Sequence, residues 1–330
     1  MTRGQGIRIV FLFAFFFWVK PFGYVSAAEL APLRASYSAV SGIFTPIWLA
    51  QDKGFFANYG LTVDLRFVAP SAATQSLLAK SLDIVIGGGE FIEAGLAGAR
   101  MVYIAGVANR VVLSLYAKPE IHALSDLRGK VLAALSPGST SDFLARILLQ
   151  EESLVPGKEV KILYLKSGPE ILAALTQGII DAGIISAPMT LKAQKAGLRE
   201  AVNAGEKNIP MIHAAVATTR DFLKEHPDRA RAFLQGYLAG IKYAKSNAEE
   251  AMAVVGKYTK TTDREDMEET YRTFVKVWEK VPYVSAAAVQ TNLNFAMSPA
   301  AKTAKPEQFV DNSILAELER SGFINQLYQQ

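Results

Sequence analysis

Cysteine is absent from this sequence of 330 residues. Its absence excludes disulfides, thiolate catalysis, cysteine-ligated metals and a lipid-modified N-terminal cysteine. Histidine is also scarce, because the chain has only three, His122, His213 and His226, which lie far apart in sequence. None of them has the spacing of a metal-ligand motif. The sequence therefore predicts no metal site and no cofactor.

The glycine-rich and nucleophile motifs of common enzymes are missing as well. The loop Gly87–Gly89 lacks the third glycine of a dinucleotide-binding loop, since Ile92 stands at that position. Gly129-Lys130 lacks the upstream glycine of a phosphate-binding loop, and Gly-x-Ser-x-Gly does not occur. We therefore predict that the protein is not an enzyme.

A long apolar run occurs only near the amino terminus. Two arginines precede Ile9–Val19, which is too short to cross a bilayer, since a spanning helix needs about 20 residues. Ser26-Ala27-Ala28 then offers the small residues of a cleavage site before Glu29. Residues 1–28 are thus predicted to be a signal peptide, and the mature protein is expected to be exported. A retained membrane anchor is the alternative.

The remaining chain carries almost no net charge. The sequence has 35 basic and 31 acidic residues, and Arg3, Arg8 and Lys20 lie in the predicted signal peptide. Without these three, 32 basic residues balance the 31 acidic ones, and no dense basic run remains. Because nucleic-acid binding depends on a basic surface, nucleic acid is not an expected partner. The length is ample for a core and suggests two lobes.

Strands alternate with helices through the first two thirds of the chain. Leu33–Tyr37 is predicted as a strand, followed by a polar loop and a helix with Pro46 in its first turn, where proline is favoured. The strand–helix unit recurs as far as Thr218, which predicts parallel, doubly wound α/β sheets. After Pro227 the chain is predicted to be almost entirely helical, with apolar residues at 3–4 spacing.

Two segments share a pattern that indicates two similar lobes. Asp83 and Asp181 each precede an apolar strand, a loop of small residues and a helix. This similarity is expected either from a duplicated unit or from the ordinary succession of strands and helices in α/β proteins. We predict that lobe 1 comprises residues 29–110 and 217–330, including the carboxyl-terminal helices, and that lobe 2 comprises residues 111–216.

The stretch Lys130–Leu154 contains the clearest candidate for a binding loop. It is predicted as a buried strand, the turn Ser136-Pro137-Gly138 and a helix that starts near Ser139. A helix N-terminus has amides without intrahelical partners at a positive dipole end. Three hydroxyl residues at this point predict a site for an anionic or strongly accepting group. The alternative is a capping box, in which Ser139 and Asp142 close the helix start without a ligand.

Three stretches of the sequence resemble a known family. They are GIFTPIWLAQDKGFFANYGLTVDL, PEIHALSDLRGKVLAALSPGSTSDFLARILLQEESL and the segment Pro169–Gly197. At these spacings the chain resembles the nitrate/sulfonate/taurine-type solute-binding proteins of ABC importers, a superfamily that also contains binders of thiamine-pyrimidine precursors. The resemblance covers roughly residues 33–245, and the carboxyl-terminal helices match only in character.

The resemblance implies a type II periplasmic binding protein fold, in which the chain crosses twice between two α/β lobes and the ligand lies in the cleft between them. By position, the ligand loops are residues 38–44, 87–90, 136–141 and 186–189. They follow strands, and open α/β sheets bind ligands beyond the carboxyl ends of their strands. The ligand-binding residues predicted in these loops are Ser41, Gly42, Phe44, Gly88, Gly89, Glu90, Gly138, Ser139, Thr140, Ser141, Pro188 and Met189.

Several candidates have a structural explanation beside the functional one. Phe44 either stacks on a ligand or holds the next helix against the sheet. Glu90 begins a helix, where an acid is favoured in any case; in the cleft it would repel a bare anion and favour a ligand with an amine or hydroxyl group. Arg110, near the first crossing, either pairs with an anionic ligand group or lies on the surface. Met189 is a candidate for an apolar wall.

The resemblance implies a periplasmic solute-binding protein that delivers a small-molecule ligand to an inner-membrane ABC permease and its ATPase. The protein is expected to be a monomer. The expected ligand is a small organic anion, either a sulfonate or a carboxylate. A neutral heteroaromatic, such as a thiamine-pyrimidine precursor, is the alternative ligand, and a sensory protein that docks to a receptor is the alternative function. Pyrimidine-synthesis enzymes of the same fold depend on cysteine, which this chain lacks.

Overall fold

A computed structural model of the protein describes residues 1–2 and 30–329. Apart from Met1 and Thr2, the predicted signal peptide lies outside the described residues. Within these two ranges, no helix is both long and apolar enough to cross a bilayer.

The described part of the chain alternates between strands and helices as far as residue 219 and is helical afterwards. The strands are β1 Ala31–Tyr37, β2 Leu61–Phe67, β3 Ile84–Gly87, β4 Met101–Arg110, β5 Ser114–Ala117, β6 Val131–Ala134, β7 Lys161–Tyr164, β8 Ala182–Ile185, β9 Arg199–Asn203 and β10 Pro210–Thr219. The α-helices are α1 Thr45–Asp52, α2 Pro70–Leu78, α3 Glu90–Leu96, α4 Thr140–Glu151, α5 Gly168–Thr176, α6 Met189–Lys195, α7 Arg220–Glu225, α8 Pro227–Ser246, α9 Ala248–Thr259, α10 Arg264–Phe274, α11 Ala286–Phe295, α12 Ser313–Arg320 and α13 Phe323–Leu327.

The strands form two five-stranded sheets of the same topology, one in each lobe. The strand order is β2-β1-β3-β10-β4 in lobe 1 and β7-β6-β8-β5-β9 in lobe 2. The first three strands of each sheet are parallel, and the fourth is antiparallel to both of its neighbours. The α/β architecture is thus confirmed, and the predicted parallel pairing holds for the first three strands of each sheet but not for the fourth. The fourth strand enters its sheet directly from the other lobe, without the crossover connection that a parallel pair requires.

The aspartates noticed in the sequence occupy equivalent positions in the two lobes. The amide of Arg34 in β1 donates to Asp83 Oδ2 over 2.8 Å. The amide of Val131 in β6 donates to Asp181 Oδ2 over 2.9 Å. Each carboxylate therefore accepts a hydrogen bond from the neighbouring parallel strand just before its own strand begins. Each also pairs with a basic side chain, Arg34 in lobe 1 and Lys118 in lobe 2, so the two segments are structurally equivalent.

The chain crosses between the lobes after β4 and again before β10. These strands pair with each other, with Ala214 opposite Ala108 and Ala215 opposite Gly106, so the two inter-lobe segments are neighbours. The predicted lobe boundary at residue 217 falls inside β10, which pairs only within the sheet of lobe 1. We therefore propose that lobe 2 comprises residues 111–209. The apolar run of β10 shows no change in composition that marks the crossing.

The carboxyl-terminal helices support lobe 1 behind the first loop predicted to bind the ligand, residues 38–44. Gly240 of α8 lies so close to α1 that a Cβ atom there would be 2.1 Å from the carbonyl oxygen of Pro46. The buried indole of Trp278 donates to the carbonyl of Ile43 over 3.2 Å. These contacts hold the backbone at Ile43 and Pro46 from behind, and Trp278 has a packing role.

The same helices also contact lobe 2. The Nζ atom of Lys195, at the end of α6, lies 2.7 Å from Asp263, 2.9 Å from Glu265 and 3.0 Å from Asp266. Asp263 and Glu265 are largely exposed, so these two pairs contribute little to stability, whereas Asp266 is buried. This contact nevertheless shows that the two lobes meet on the side of α10.

Candidate ligand-binding site

A cavity lies between the two lobes at the carboxyl ends of the parallel strands. Its volume is about 50 Å³, well above the roughly 10–15 Å³ that a single water requires. It is lined by Ser38, Ala39, Val40, Ser41, Ile43, Phe44, Pro70, Gly88, Glu90 and His213 from lobe 1, and by Leu113, Leu135, Ser139, Thr140, Ser141, Gly168, Ile184, Ile185 and Ser186 from lobe 2. The space therefore suits a small molecule with apolar surface and a few polar groups.

All four loops predicted from the sequence contribute to this cavity. Seven of the predicted residues line it, namely Ser41, Phe44, Gly88, Glu90, Ser139, Thr140 and Ser141. The other five, Gly42, Gly89, Gly138, Pro188 and Met189, are not among the lining residues. Contact between these seven residues and a ligand stays a prediction.

The three glycines outside the lining are required by packing and backbone geometry. A Cβ atom at Gly42 would lie 2.1 Å from a methyl group of Thr270, and one at Gly89 would lie 2.4 Å from the ring of Phe143. Gly138 has a φ of +75°, a backbone conformation that favours glycine. The small side chains of these loops thus allow close contacts within the protein, and the sequence alone does not separate that need from ligand binding.

Pro188 and Met189 lie at the start of α6, and Met189 is buried in the core of lobe 2 beside residues such as Ile171. Phe44, in contrast, lines the cavity and also packs on Tyr37, with ring centroids 5.8 Å apart. Both roles considered for Phe44 are therefore compatible with its position.

Arg110 does not line the cavity. Its exposed guanidinium contacts Asn208 Oδ1 at 3.5 Å and the carbonyl oxygen of Lys276 at 3.4 Å, in an open groove elsewhere. No lysine or arginine occurs among the described residues that line the cavity. A ligand in this position would therefore meet no cationic side chain.

The serine hydroxyls at the start of α4 accept hydrogen bonds from amides of their own loop and helix start. The oxygen of Ser139 accepts from the amide of Asp142 at 3.4 Å, and that of Ser141 accepts from the amide of Leu135 at 2.9 Å. The Ser139 half of the capping box predicted as the alternative is thus present, but the Asp142 carboxylate accepts from the amide of Gly138 and not from that of Ser139. The amides of Thr140 and Ser141, however, have no acceptor within residues 30–329, so they are available to a ligand.

Asp142 does not place negative charge in the cavity. Its buried carboxylate accepts from the amide of Gly138 at 2.9 Å, from Arg146 Nε at 3.0 Å and from the hydroxyl of Tyr164 at 2.8 Å. The guanidinium balances the charge of the carboxylate, so the N-terminus of α4 presents its two free amides without a competing anion.

Glu90 is the acidic residue of the cavity. Its side chain is buried, and both carboxylate oxygens lie 3.1 Å from the amide nitrogen of Gly88. Burial raises the pKa of Glu90 to about 7, although hydrogen bonds from backbone amides and from the Ser38 hydroxyl oppose this rise. Near neutral pH the residue is therefore divided between a carboxylic acid and a carboxylate.

His213 lines the cavity but was not predicted as a site residue. It lies in β10, where the sequence IHAAVATT reads as an apolar strand with one histidine. Its Nδ1 accepts from the amide of Val112 at 3.0 Å, so the neutral ring carries its proton on Nε2. Burial lowers the pKa of His213 to about 4, so the ring is neutral at physiological pH. The only feature of the sequence that could have identified His213 as a site residue is a lone histidine within an apolar strand.

Thr140 forms a direct contact between the lobes. Its hydroxyl oxygen lies 2.9 Å from the carbonyl oxygen of His213 and 3.2 Å from that of Ile212, both in β10. The single hydroxyl hydrogen is therefore donated to the other lobe, and the oxygen retains only accepting capacity toward a ligand. The sequence predicted a donor to the ligand here, whereas the geometry makes Thr140 a closing contact.

We expect Thr140→Ala to weaken ligand binding by roughly 2- to 12-fold, because a net hydrogen bond between neutral groups contributes about 0.5–1.5 kcal/mol to closure. Thr140→Ser, which keeps the hydroxyl, is the matched control and should bind as the unmodified protein does. Isothermal titration calorimetry measures both. A loss of roughly 10- to 150-fold would instead indicate a direct bond to a charged ligand group.

Two α/β lobes of one topology, joined by neighbouring strands and enclosing a cavity between them, define the periplasmic binding protein fold. The chain belongs to the NMT1/THI5-like family, whose model matches residues 42–251.

Individual proteins of known structure share the fold at low sequence identity. The periplasmic nitrate-binding protein NrtA from Synechocystis PCC 6803 is 15% identical, with a TM-score of 0.71 over 89% of each chain. The periplasmic aliphatic sulphonate-binding protein SsuA from Escherichia coli is 19% identical, with a TM-score of 0.63 over 82% of this chain and 86% of that one. Among curated proteins, YtlA of Bacillus subtilis (strain 168) is 21% identical over 226 residues, which are 66% of this chain and 68% of that protein.

Proposed function

We propose that the protein is the solute-binding component of an ABC importer, which acts in the periplasm as a monomer and delivers its ligand to a membrane permease with an ATPase. The enclosed inter-lobe cavity is the observation that carries this proposal. Family membership and the nitrate- and sulphonate-binding proteins with the same fold support it. The protein binds its ligand without catalysis. Deleting the gene should abolish uptake of the ligand; intact uptake with a lost response to that ligand would favour a sensory role.

The ligand that the cavity suits best carries a hydrogen-bond donor and no full negative charge. Glu90 faces the ligand space without a lysine or arginine among the described lining residues. In a buried site, a carboxylate repels an anion strongly, since the effective dielectric constant is far below that of water. An N–H or O–H group of the ligand would instead donate to Glu90 in a charge-assisted hydrogen bond. A neutral aminopyrimidine of the thiamine-precursor type has such groups.

A small organic anion, such as a sulfonate or a carboxylate, is the second candidate. The free amides of Thr140 and Ser141 at the N-terminus of α4 favour it, because helix N-termini bind anionic groups. Such a ligand would bind together with the protonated form of Glu90, which donates a hydrogen bond instead of repelling it.

The pH dependence of binding separates the two candidates. Because the pKa of Glu90 is raised to about 7, the side chain is mainly protonated at pH 6 and mainly ionised at pH 8. We expect 4-amino-5-hydroxymethyl-2-methylpyrimidine to stabilise the protein more at pH 8, and methanesulfonate to stabilise it only at pH 6. Thermal unfolding measures this, since a ligand at 100 times its Kd adds about 2.7 kcal/mol.

Arg110→Ala is the control for this experiment, because Arg110 lies outside the cavity and its loss should leave both shifts unchanged. Equal stabilisation by methanesulfonate at pH 6 and pH 8 would contradict a ligand that contacts Glu90. An anion site elsewhere in the cleft would then be the better explanation.

A further inference from the structure

We propose that His213 is a specificity-determining residue of the cavity, whose Nε2–H donates to an acceptor atom of the ligand and whose backbone links that contact to closure of the lobes. This inference rests on the proposed ligand-binding function and deepens it. The observations that carry it are the position of the side chain in the cavity, its one internal hydrogen bond and the contact of its carbonyl with the other lobe.

The ring of His213 is held in one orientation, and its neutral form is held in one tautomer. The side chain is buried in the wall of the cavity, with 7% of its surface exposed. The amide of Val112 donates to Nδ1, which forces the proton of the neutral ring onto Nε2. Val112 lies in the first crossing between the lobes, so the tautomer depends on the backbone at that crossing.

The other ring nitrogen has no partner in the described part of the chain. Of the two nitrogens, only Nδ1 has a hydrogen bond within residues 30–329. His213 Nε2 is not among the fully buried polar atoms that lack a partner, so its N–H group is open to the cavity that the residue lines. An acceptor atom of a ligand would satisfy it.

The backbone of His213 connects this site to lobe 2. Its carbonyl oxygen accepts from the hydroxyl of Thr140 at 2.9 Å. Thr140 and Ser141, whose amides are free, belong to the same turn of α4 and line the same cavity. A ligand acceptor held by Nε2–H of lobe 1 and by these amides of lobe 2 would therefore contact both lobes, and would stabilise the closed arrangement directly.

His213 and Glu90 together define the chemical class of the ligand. They are the titratable residues among the described lining residues, and Tyr103, whose hydroxyl donates to the carbonyl of Gly88, lies beside Glu90. The neutral imidazole donates, and ionised Glu90 accepts. An uncharged group that both accepts and donates, such as a primary amide or an aminopyrimidine edge, matches this pair, whereas a bare anion matches the donor alone.

The first experiment needs no ligand. Long-range ¹H–¹⁵N NMR spectra of the full mature protein, with His213 assigned by His213→Asn, report the tautomer of the ring. We expect the Nε2–H tautomer at pH 7 and no protonation of the ring above pH 5. The Nδ1–H tautomer, or an imidazolium ring at pH 6, would overturn the inference while leaving the proposed importer function intact.

The second experiment uses acetamide and acetate, which have the same shape but differ in charge and in donating groups. At pH 8 we expect acetamide to shift the His213 Nε2 resonance and the amide resonances of Thr140 and Ser141, and acetate to leave them unchanged. Equal shifts with both probes, or no shift with acetamide, would overturn the inference.

Two variants at His213 test its donor directly. In His213→Asn the side-chain oxygen takes the place of Nδ1 and keeps the bond to Val112, but no donor reaches the cavity; acetamide affinity should fall roughly 2- to 12-fold. In His213→Gln the terminal amide takes the place of Nε2, and affinity should be partly retained. Equal affinities of both variants and the unmodified protein would assign His213 a packing role only.

Discussion

Replacing Glu90 by glutamine is expected to raise the free energy of unfolding at pH 8 by up to about 3 kcal/mol. Burial raises the pKa of Glu90 from 4.5 to about 7 in the folded protein. Below pH 4.5 both states are protonated, and ionisation costs nothing. Between pH 4.5 and 7 only the folded state holds the proton, so stability falls as the pH rises, and above pH 7 the full cost applies. Glutamine does not ionise, and its oxygen still accepts from the amide of Gly88.

His213 makes the pH dependence of this variant a sharper test. Burial lowers the pKa of His213 from 6.5 to about 4, so its contribution to stability is complete above pH 6.5 and is lost as the pH falls toward 4. Between pH 4.5 and 6.5 the folded protein holds the Glu90 proton and the unfolded chain holds the His213 proton, so the two effects cancel. In the Glu90→Gln variant only the His213 effect remains. The stability of that variant should therefore fall by about 3 kcal/mol as the pH decreases from 6.5 to 4.5.

Urea unfolding at pH 5, 6.5 and 8 measures these differences. We expect the two proteins to differ by less than about 1 kcal/mol at pH 5, where the Glu90 penalty is still small, and by the most at pH 8. If the free energies of unfolding of Glu90→Gln and the unmodified protein change with pH in parallel, Glu90 is solvated. The argument that a buried Glu90 carboxylate repels an anionic ligand would then no longer hold.

The positions of the ligand loops followed from sequence because they depend on local chain order. A strand, a loop of small residues and a helix start recur at residues 38–44, 87–90, 136–141 and 186–189, and parallel strands place such loops at one edge of the sheet. All four loops reach the cavity. The α/β fold and the helical carboxyl-terminal segment were predictable for the same reason, since hydrophobic periodicity is a local property.

The contacts made by individual side chains were not predictable, because their partners lie far away in sequence. Thr140 donates to carbonyl groups 72 and 73 residues later, and Gly42 is small because α10 packs on it. Arg110 was a candidate partner for an anion, yet the end of β4 directs it to an external groove. These outcomes depend on the tertiary packing of the two lobes.

His213 shows the opposite error, a functional candidate hidden by its surroundings. In the sequence it interrupts an apolar strand and has no motif around it. The insertion of β10 between β3 and β4 brings it to the cleft. This placement depends on tertiary pairing, so the residue was missed.

Gly88→Ala is expected to disfavour closure of the lobes while leaving each lobe folded. A Cβ atom at Gly88 would lie 2.0 Å from the hydroxyl oxygen of Thr140, which belongs to the other lobe. Overpacking of this kind costs about 1–3 kcal/mol, which corresponds to a loss of affinity of roughly 5- to 150-fold. Because the clash exists only in the closed arrangement, the melting temperature without ligand should change little. At a ligand concentration that saturates only the unmodified protein, small-angle scattering should show compaction for that protein and not for the variant.

The double variant Gly88→Ala, Thr140→Ala decides whether this contact is the cause. Once the hydroxyl oxygen is removed, the nearest atoms to the new Cβ are Glu90 Oε2 at 3.1 Å and the carbonyl oxygen of His213 at 3.2 Å, a tight but tolerable fit. We expect its affinity to return to that of Thr140→Ala alone, a strong coupling between residues of different lobes. If the two losses simply add, then Gly88 acts within its own lobe, through the ligand or through Glu90. The inter-lobe contact of Thr140 would then not limit closure.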